Sequence, residues 1–209
     1  MREYTIKIKT FSDTMLGSGE SIPAVIDSDV KYDEYGLPYM FAKTLKGHIR
    51  EQMELIVRFD KKYEYSEKDI PLLMGVTDTD TVIQKEDGRL RFSDVRMSEG
   101  VQKAIKAALN ANDSLTKYDI LDALTVTYTT TRIDKNTGTA ADGSLRRERM
   151  VRKGVIFETK VYFDDSGLEN VDKYDYMIKT AFAILRHIGT HKSKGKGRIA
   201  FEVVEVTNV

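Results

Sequence analysis

Between Tyr174 and Val206 the chain passes from an amphipathic segment, through a glycine- and lysine-rich loop, into a strand-like run, and this succession narrows the folds open to it. Tyr174, Met177, Ile178, Ala181 and Leu185 recur at three- and four-residue steps, which places them on one face of a helix. Ile199 to Val206 reads as a strand. The intervening stretch, Gly189-Thr190-His191-Lys192-Ser193-Lys194-Gly195-Lys196-Gly197-Arg198, is therefore held at both ends by ordered elements. Its glycines let a ligand approach the backbone closely, and its lysines and arginine neutralise negative charge, a combination suited to a polyanion.

The remainder alternates strands and helices. Tyr4 to Lys9 interleaves apolar and polar residues, the pattern of a half-buried strand. A long irregular connection follows over 12–43, with Gly36-Leu37-Pro38 near its end. Thr44 is expected to cap a helix whose Leu45, Ile49, Met53 and Ile56 form one stripe. Arg89–Ser93 reads as a short strand, Val101–Leu109 as a helix, and Leu124–Thr131, rich in threonine, valine and tyrosine, as a strand. From about 132 to 153 the composition turns polar and glycine-bearing, then basic, as in a protruding loop or hairpin; Val155–Phe163 alternates again. The order is best accounted for by one α+β domain over 1–209, a ferredoxin-like sheet with helices on one face.

Composition excludes several chemistries. A chain of 209 residues, 41% of them hydrophobic, suffices for one sizeable core. The absence of cysteine rules out disulfides, thiolate nucleophiles and cysteine-ligated zinc, so no zinc is expected. No apolar run approaches a membrane span, and the N-terminus is not signal-like, so the expected location is cytoplasmic with no membrane partner. Basic and acidic residues balance at 33 each, yet they cluster: bases at Lys43–Arg50, Arg146–Lys153 and Lys192–Arg198, acids at Asp27–Glu34 and Asp164–Asp175. Segregation of this kind lets one face bind an anion while the molecule stays neutral. His48 and His187 are expected within helices, packed or solvated, and with His191 they form no obvious metal or nucleophile set.

Four stretches, in order, carry a resemblance. Asp27-Ser28 followed by Tyr39-Met40-Phe41-Ala42-Lys43-Thr44-Leu45-Lys46-Gly47-His48-Ile49-Arg50 resembles the N-terminal signature of the RAMP superfamily of CRISPR-associated proteins. Gly88-Arg89-Leu90-Arg91-Phe92-Ser93-Asp94 resembles its internal strand. Arg132 to Ala140, followed by Leu145-Arg146-Arg147-Glu148-Arg149, resembles the thumb hairpin of backbone subunits in type III effector complexes. The glycine loop at 189–198 is the superfamily's most general mark. Phe41-Ala42-Lys43-Thr44 departs from the Pro-Gly-Ser-Ser-like turn usual there, and Leu16-Gly17-Ser18-Gly19-Glu20 is a short first loop; both point to a divergent branch nearer the type III-D arrangement.

The resemblance implies a modified ferredoxin-like (RRM-like) domain that stacks with other copies of itself or related subunits, and with other CRISPR effector subunits, along a guide RNA. It implies a thumb that wedges into the duplex of guide and complementary target RNA. In cleaving members an aspartate of the first loop acts at that kink, and the matching residue is Asp27. The implied reaction is attack by the target's own 2′-hydroxyl on the adjacent phosphate, with Mg²⁺ or another divalent cation required. RNA brings its own nucleophile, so in-line geometry and charge neutralisation suffice. Asp27 then serves either as the oxygen ligand of a hydrated Mg²⁺ or as general base. The implied RNA contacts are Lys43, Lys46 and Arg50; Arg132, Arg146, Arg147 and Arg149 of the thumb; and His191, Lys192, Ser193, Lys194, Gly195, Lys196, Gly197 and Arg198 of the loop. Alternatives are a non-catalytic filament subunit that binds guide RNA, and a metal-free guide-processing ribonuclease.

Overall fold

A computed structural model describes residues 1–17, 19, 21, 23, 25–76 and 87–208. Its elements in chain order are β1 (Arg2–Thr10), α1 (Ala42–Phe59), α2 (Asp69–Met74), β2 (Leu90–Phe92), α3 (Glu99–Ala111), α4 (Lys117–Leu124), β3 (Thr125–Thr130), β4 (Arg146–Val151), β5 (Ile156–Phe163), α5 (Val171–Ile184) and β6 (Ile199–Asn208). Four strands form one antiparallel sheet in the order β2-β5-β1-β6. With α1 between β1 and β2, and α5 between β5 and β6, this is the βαββαβ succession of a ferredoxin-like sheet. The expected fold class is therefore the observed one. The segment carrying α3, α4 and the hairpin of β3 and β4 is an insertion between the two middle strands of that succession.

Alternation sets the faces. Tyr4, Ile6 and Ile8 of β1 lie opposite Val161, Thr159 and Phe157 of β5, and all are buried on the side that α1 and α5 cover. Leu45, Ile49, Met53 and Ile56 from α1, with Tyr174, Met177, Ile178, Ala181 and Phe182 from α5, complete this core. The first connection is irregular but not loose. Met15, Leu16, Val30, Leu37 and Met40 are buried in the same core, and single bridges tie the connection to β4 and to Val95. Ser18 and Glu20 of its short Leu16–Glu20 stretch lie outside the described residues.

Several local expectations are corrected. α1 begins two residues before Thr44, because the Asp94 carboxylate accepts the Ala42 N–H at 2.9 Å and caps the helix from another segment. His187 stands beyond the end of α5, bridged to Arg198. The helix α4 has a capping box in which Thr116 and Asp119 bond reciprocally. The protrusion is a hairpin whose arms run over 125–130 and 146–151. Among the described residues, no helix is long and apolar enough to cross a membrane.

Candidate nucleic-acid interface

The first connection runs beside the hairpin. Asp27 and Ser28 donate their N–H groups to the Arg147 carbonyl at 2.8 and 3.3 Å, and Arg149 donates its own to the Ser28 carbonyl at 3.0 Å. Asp27 is thereby fixed at the hairpin root. Its Oδ2 accepts the Arg147 N–H at 2.8 Å, and its Oδ1 accepts the Arg146 guanidinium at 3.2 Å. The Arg147 N–H, with the Arg146 charge, holds the Asp27 carboxyl below its usual range against an opposing effect of burial. It is ionised at neutral pH, and its side chain is 39% exposed. Two clefts meet at it. One, of about 340 Å³, lies against Leu145 and Arg147; the other, of about 410 Å³, is shared with Gly17, Ser28, Asp29 and Thr190 and so reaches the glycine loop.

The thumb arginines differ in what they can reach. Arg149 turns inward, its guanidinium 3.2 Å from both oxygens of Asp29, and the two side chains are only 15% and 5% exposed. Its expected role as an RNA contact does not fit that placement. Arg146 is exposed but paired to Asp27, Arg147 is exposed along the cleft wall, and Arg132 is exposed just beyond β3. The acids at 27–29 and the bases at 146–149, distant in sequence, thus partly neutralise one another.

The glycine loop is built rather than slack. A Cβ at Gly189 or Gly197 would stand 2.1 Å from the Met15 or Ile188 carbonyl oxygen, and both residues have φ near +75° (76° and 74°). Lys192–Lys194 form a single 3₁₀ turn preceded by His191 at φ 64°, a left-handed conformation rare for a residue with a side chain. His191 Nε2 lies 3.0 Å from Glu148 Oε2 on β4. Lys196 Nζ lies 3.3 Å from Asp13 Oδ2 and 3.8 Å from the centre of the Tyr128 ring, and the Tyr128 hydroxyl donates to Asp13. The Tyr128 contact leads in raising the Lys196 pKa, with Asp13 adding to it. His191 and Lys196 are accordingly ties to the hairpin. Lys192, Ser193, Lys194, Gly195 and Arg198 are exposed, whereas Gly197 is buried.

On α1, Lys43 is exposed and Lys46 half-buried, and both line a cleft of about 350 Å³ with Gly88 and Arg91. Burial, then the neighbouring Arg50 charge, lowers the Lys46 pKa. The Arg50 guanidinium donates to the Met74 and Gly75 carbonyls at 3.3 and 2.6 Å and so caps the end of α2, a structural use the helical spacing did not announce. His48 is packed, and burial, followed by the Lys192 charge, lowers its pKa. A cleft lined by Thr44, His48, Gly189 and Thr190 places the start of the glycine loop beside α1. Asp13, Tyr128 and Glu148 were not anticipated: each is an unremarkable residue locally, and only contact across more than 40 positions gives it a role.

The RAMP superfamily model matches residues 7–201. No curated protein matches the sequence. The fold is similar to a chain of a type III-B Cmr-beta complex in its apo state, at TM-score 0.67 and 17% identity over 97% of both chains. It is also similar to a chain of type III-B Cmr-beta bound to cognate target RNA, at TM-score 0.63 and 14% identity over 96% of both. A chain of a type IV-B CRISPR complex aligns at TM-score 0.61 and 13% identity, over 99% of this chain and 91% of that one. With four motifs in order, the ferredoxin-like sheet and the structured glycine loop, the match over residues 7–201 establishes that the chain belongs to the RAMP superfamily.

Proposed function

We propose that the chain is a backbone subunit of a type III CRISPR ribonucleoprotein, one that binds guide RNA and cleaves complementary target RNA within the assembled complex. The observation carrying this reading is the ionised Asp27 at the root of the hairpin, on the wall of a cleft shared with the glycine loop. In the reaction the 2′-oxygen attacks the adjacent phosphorus, the bond to the 5′-oxygen breaks, and a 2′,3′-cyclic phosphate and a 5′-hydroxyl result. In this reading Asp27 takes the 2′-hydroxyl proton, the exposed Arg146 and Arg147 neutralise charge on the phosphate, and water protonates the leaving 5′-oxygen. A divalent cation, when bound, would add to that neutralisation. Asp27 shares its cleft with Asp29, which is held by Arg149, and no cluster of three His, Cys, Asp or Glu side chains stands together among the described residues. That donor set fits an ion carried largely by RNA phosphate oxygens and touched by Asp27.

A second reading rests on the same contacts. Both Asp27 oxygens are engaged by the hairpin root, so the residue also serves as a tie, and a subunit using it only so would bind without cutting. Cleavage of a labelled guide-complementary RNA by the assembled complex separates the two. The wild type is expected to cut at regular intervals in Mg²⁺ and to stop in EDTA. Asp27→Ala is expected to bind normally and lose about 100-fold or more in cutting rate. Binding without cutting by the wild type would leave the filament role alone, and cutting that survives EDTA would point to metal-free processing chemistry.

A further inference from the structure

Beside the glycine loop one aromatic ring, that of Phe11, stands open to solvent. Phe11 follows the last residue of β1, and although its neighbour Thr10 is buried, Phe11 is 49% exposed. Its backbone is not free: the Phe11 N–H donates to the Arg198 carbonyl at 2.7 Å, and the Arg198 N–H donates to Ser12 Oγ at 2.9 Å. The ring is thus held against the exit of the glycine loop. Two cations flank it, Lys9 Nζ at 5.7 Å and the Arg198 guanidinium carbon at 6.0 Å from the ring centre. Neither cation has a carboxylate within ion-pairing distance among the described residues. Ile156, 49% exposed, sits opposite Lys9 on β5 and extends the apolar surface.

We propose that Phe11 is a stacking site for an unpaired nucleobase of single-stranded RNA, with Lys9 and Arg198 holding the flanking phosphates. The inference rests on the RNA-binding reading above and adds to it a base contact that no motif supplied. Every base offers a π-face, so a rigid exposed ring serves without selecting sequence. An exposed ring by itself would suit a protein partner equally well. The two unpaired cations favour a ligand that carries negative charge beside each flat apolar group, which describes a polynucleotide.

The chain contains no tryptophan, so Phe11→Trp installs a single indole reporter. The purified full chain is titrated with a single-stranded oligouridylate and with an abasic strand of equal length and charge. Indole emission in Phe11→Trp is expected to be quenched by the base-bearing strand and not by the abasic one. Phe59→Trp, at the 68% exposed end of α1, should respond to neither. Phe11→Ala is expected to weaken affinity for the base-bearing strand about tenfold while leaving abasic affinity unchanged, and Phe11→Tyr to retain it. Equal affinity of Phe11→Ala and wild type for the base-bearing strand overturns the stacking site and leaves general RNA binding standing. Normal RNA affinity with failed assembly into the multisubunit complex overturns it in favour of a protein contact. Failure of the wild type to bind either strand removes the RNA reading and the stacking site together.

Discussion

Arg149 follows Arg146 and Arg147 in one charged run, yet its side chain is shielded where those two arginines are exposed. With Asp29, whose Oδ1 also accepts the Val30 N–H at 2.8 Å, it forms a pair withdrawn from solvent between the first connection and the hairpin. Removing Arg149 withdraws the guanidinium from a carboxylate that is itself buried. Arg149→Ala is expected to lower unfolding free energy by about 3–5 kcal/mol, and Arg147→Ala, at an exposed position, by no more than about 0.5 kcal/mol. Urea denaturation midpoints measure both, and equal midpoints for the two variants would refute the distinction. The charge of the run was legible in the sequence. Which guanidinium turns inward was not, because its partner lies 120 positions away and nothing local encodes the contact. Asp27 is the opposite case: the family motif singled it out, and the structure adds only that the Arg147 N–H holds its carboxyl below the usual range.

At the level of elements, three segments separate in sequence meet at the hairpin root: the first connection through Asp13, Asp27 and Asp29, the hairpin through Tyr128, Arg146, Glu148 and Arg149, and the glycine loop through His191 and Lys196. Their meeting depends on the glycine loop keeping its path. At Gly197 a side chain would both meet the Ile188 carbonyl oxygen at 2.1 Å and force a residue with a Cβ to φ 74°. At Gly195 the φ is 73° but nothing lies within 4 Å, so only the backbone strain remains. Gly195→Ala is expected to cost about 1–2 kcal/mol; Gly197→Ala should cost distinctly more and displace the loop. Thermal unfolding of the two variants tests this, and comparable melting temperatures would show that the loop yields easily. The alternating strands, the two helices that pack against them and their order were readable because periodicity and burial go together. The start of α1 was not, since its cap comes from Asp94, 52 positions on.

On the scale of the whole molecule, a formal net charge of zero conceals an axis. At the start of β1 the N-terminal amine and Arg2 pair with Asp165, and Arg2 also with Asp175, so the acidic 164–175 region gathers there. The other end of β1 leads to Phe11 and the glycine loop, about 27 Å away for a nine-residue strand. Of the acids at 27–34, which the sequence set apart from the basic runs, Asp27 and Asp29 lie beside the glycine loop and are offset by Arg146 and Arg149, while Asp33 pairs with Arg96. Among the described residues, the exposed cations open to a polyanion include Lys192, Lys194 and Arg198 of the loop, Lys43 of α1, Lys9, Arg132 and Arg147. Each phosphate neutralised on a single strand contributes about 0.7 to the slope of log affinity against log salt. The double variant Lys192→Ala/Lys194→Ala is therefore expected to lower the magnitude of that slope by about 1.4. Arg50→Ala should leave it unchanged, because the Arg50 guanidinium is already bound to the Met74 and Gly75 carbonyls. Fluorescence anisotropy of labelled single-stranded RNA across a salt series reads both slopes. A double variant with the wild-type slope would mean that the loop is not where the phosphates lie, and that the poles of this neutral chain serve contacts between subunits instead.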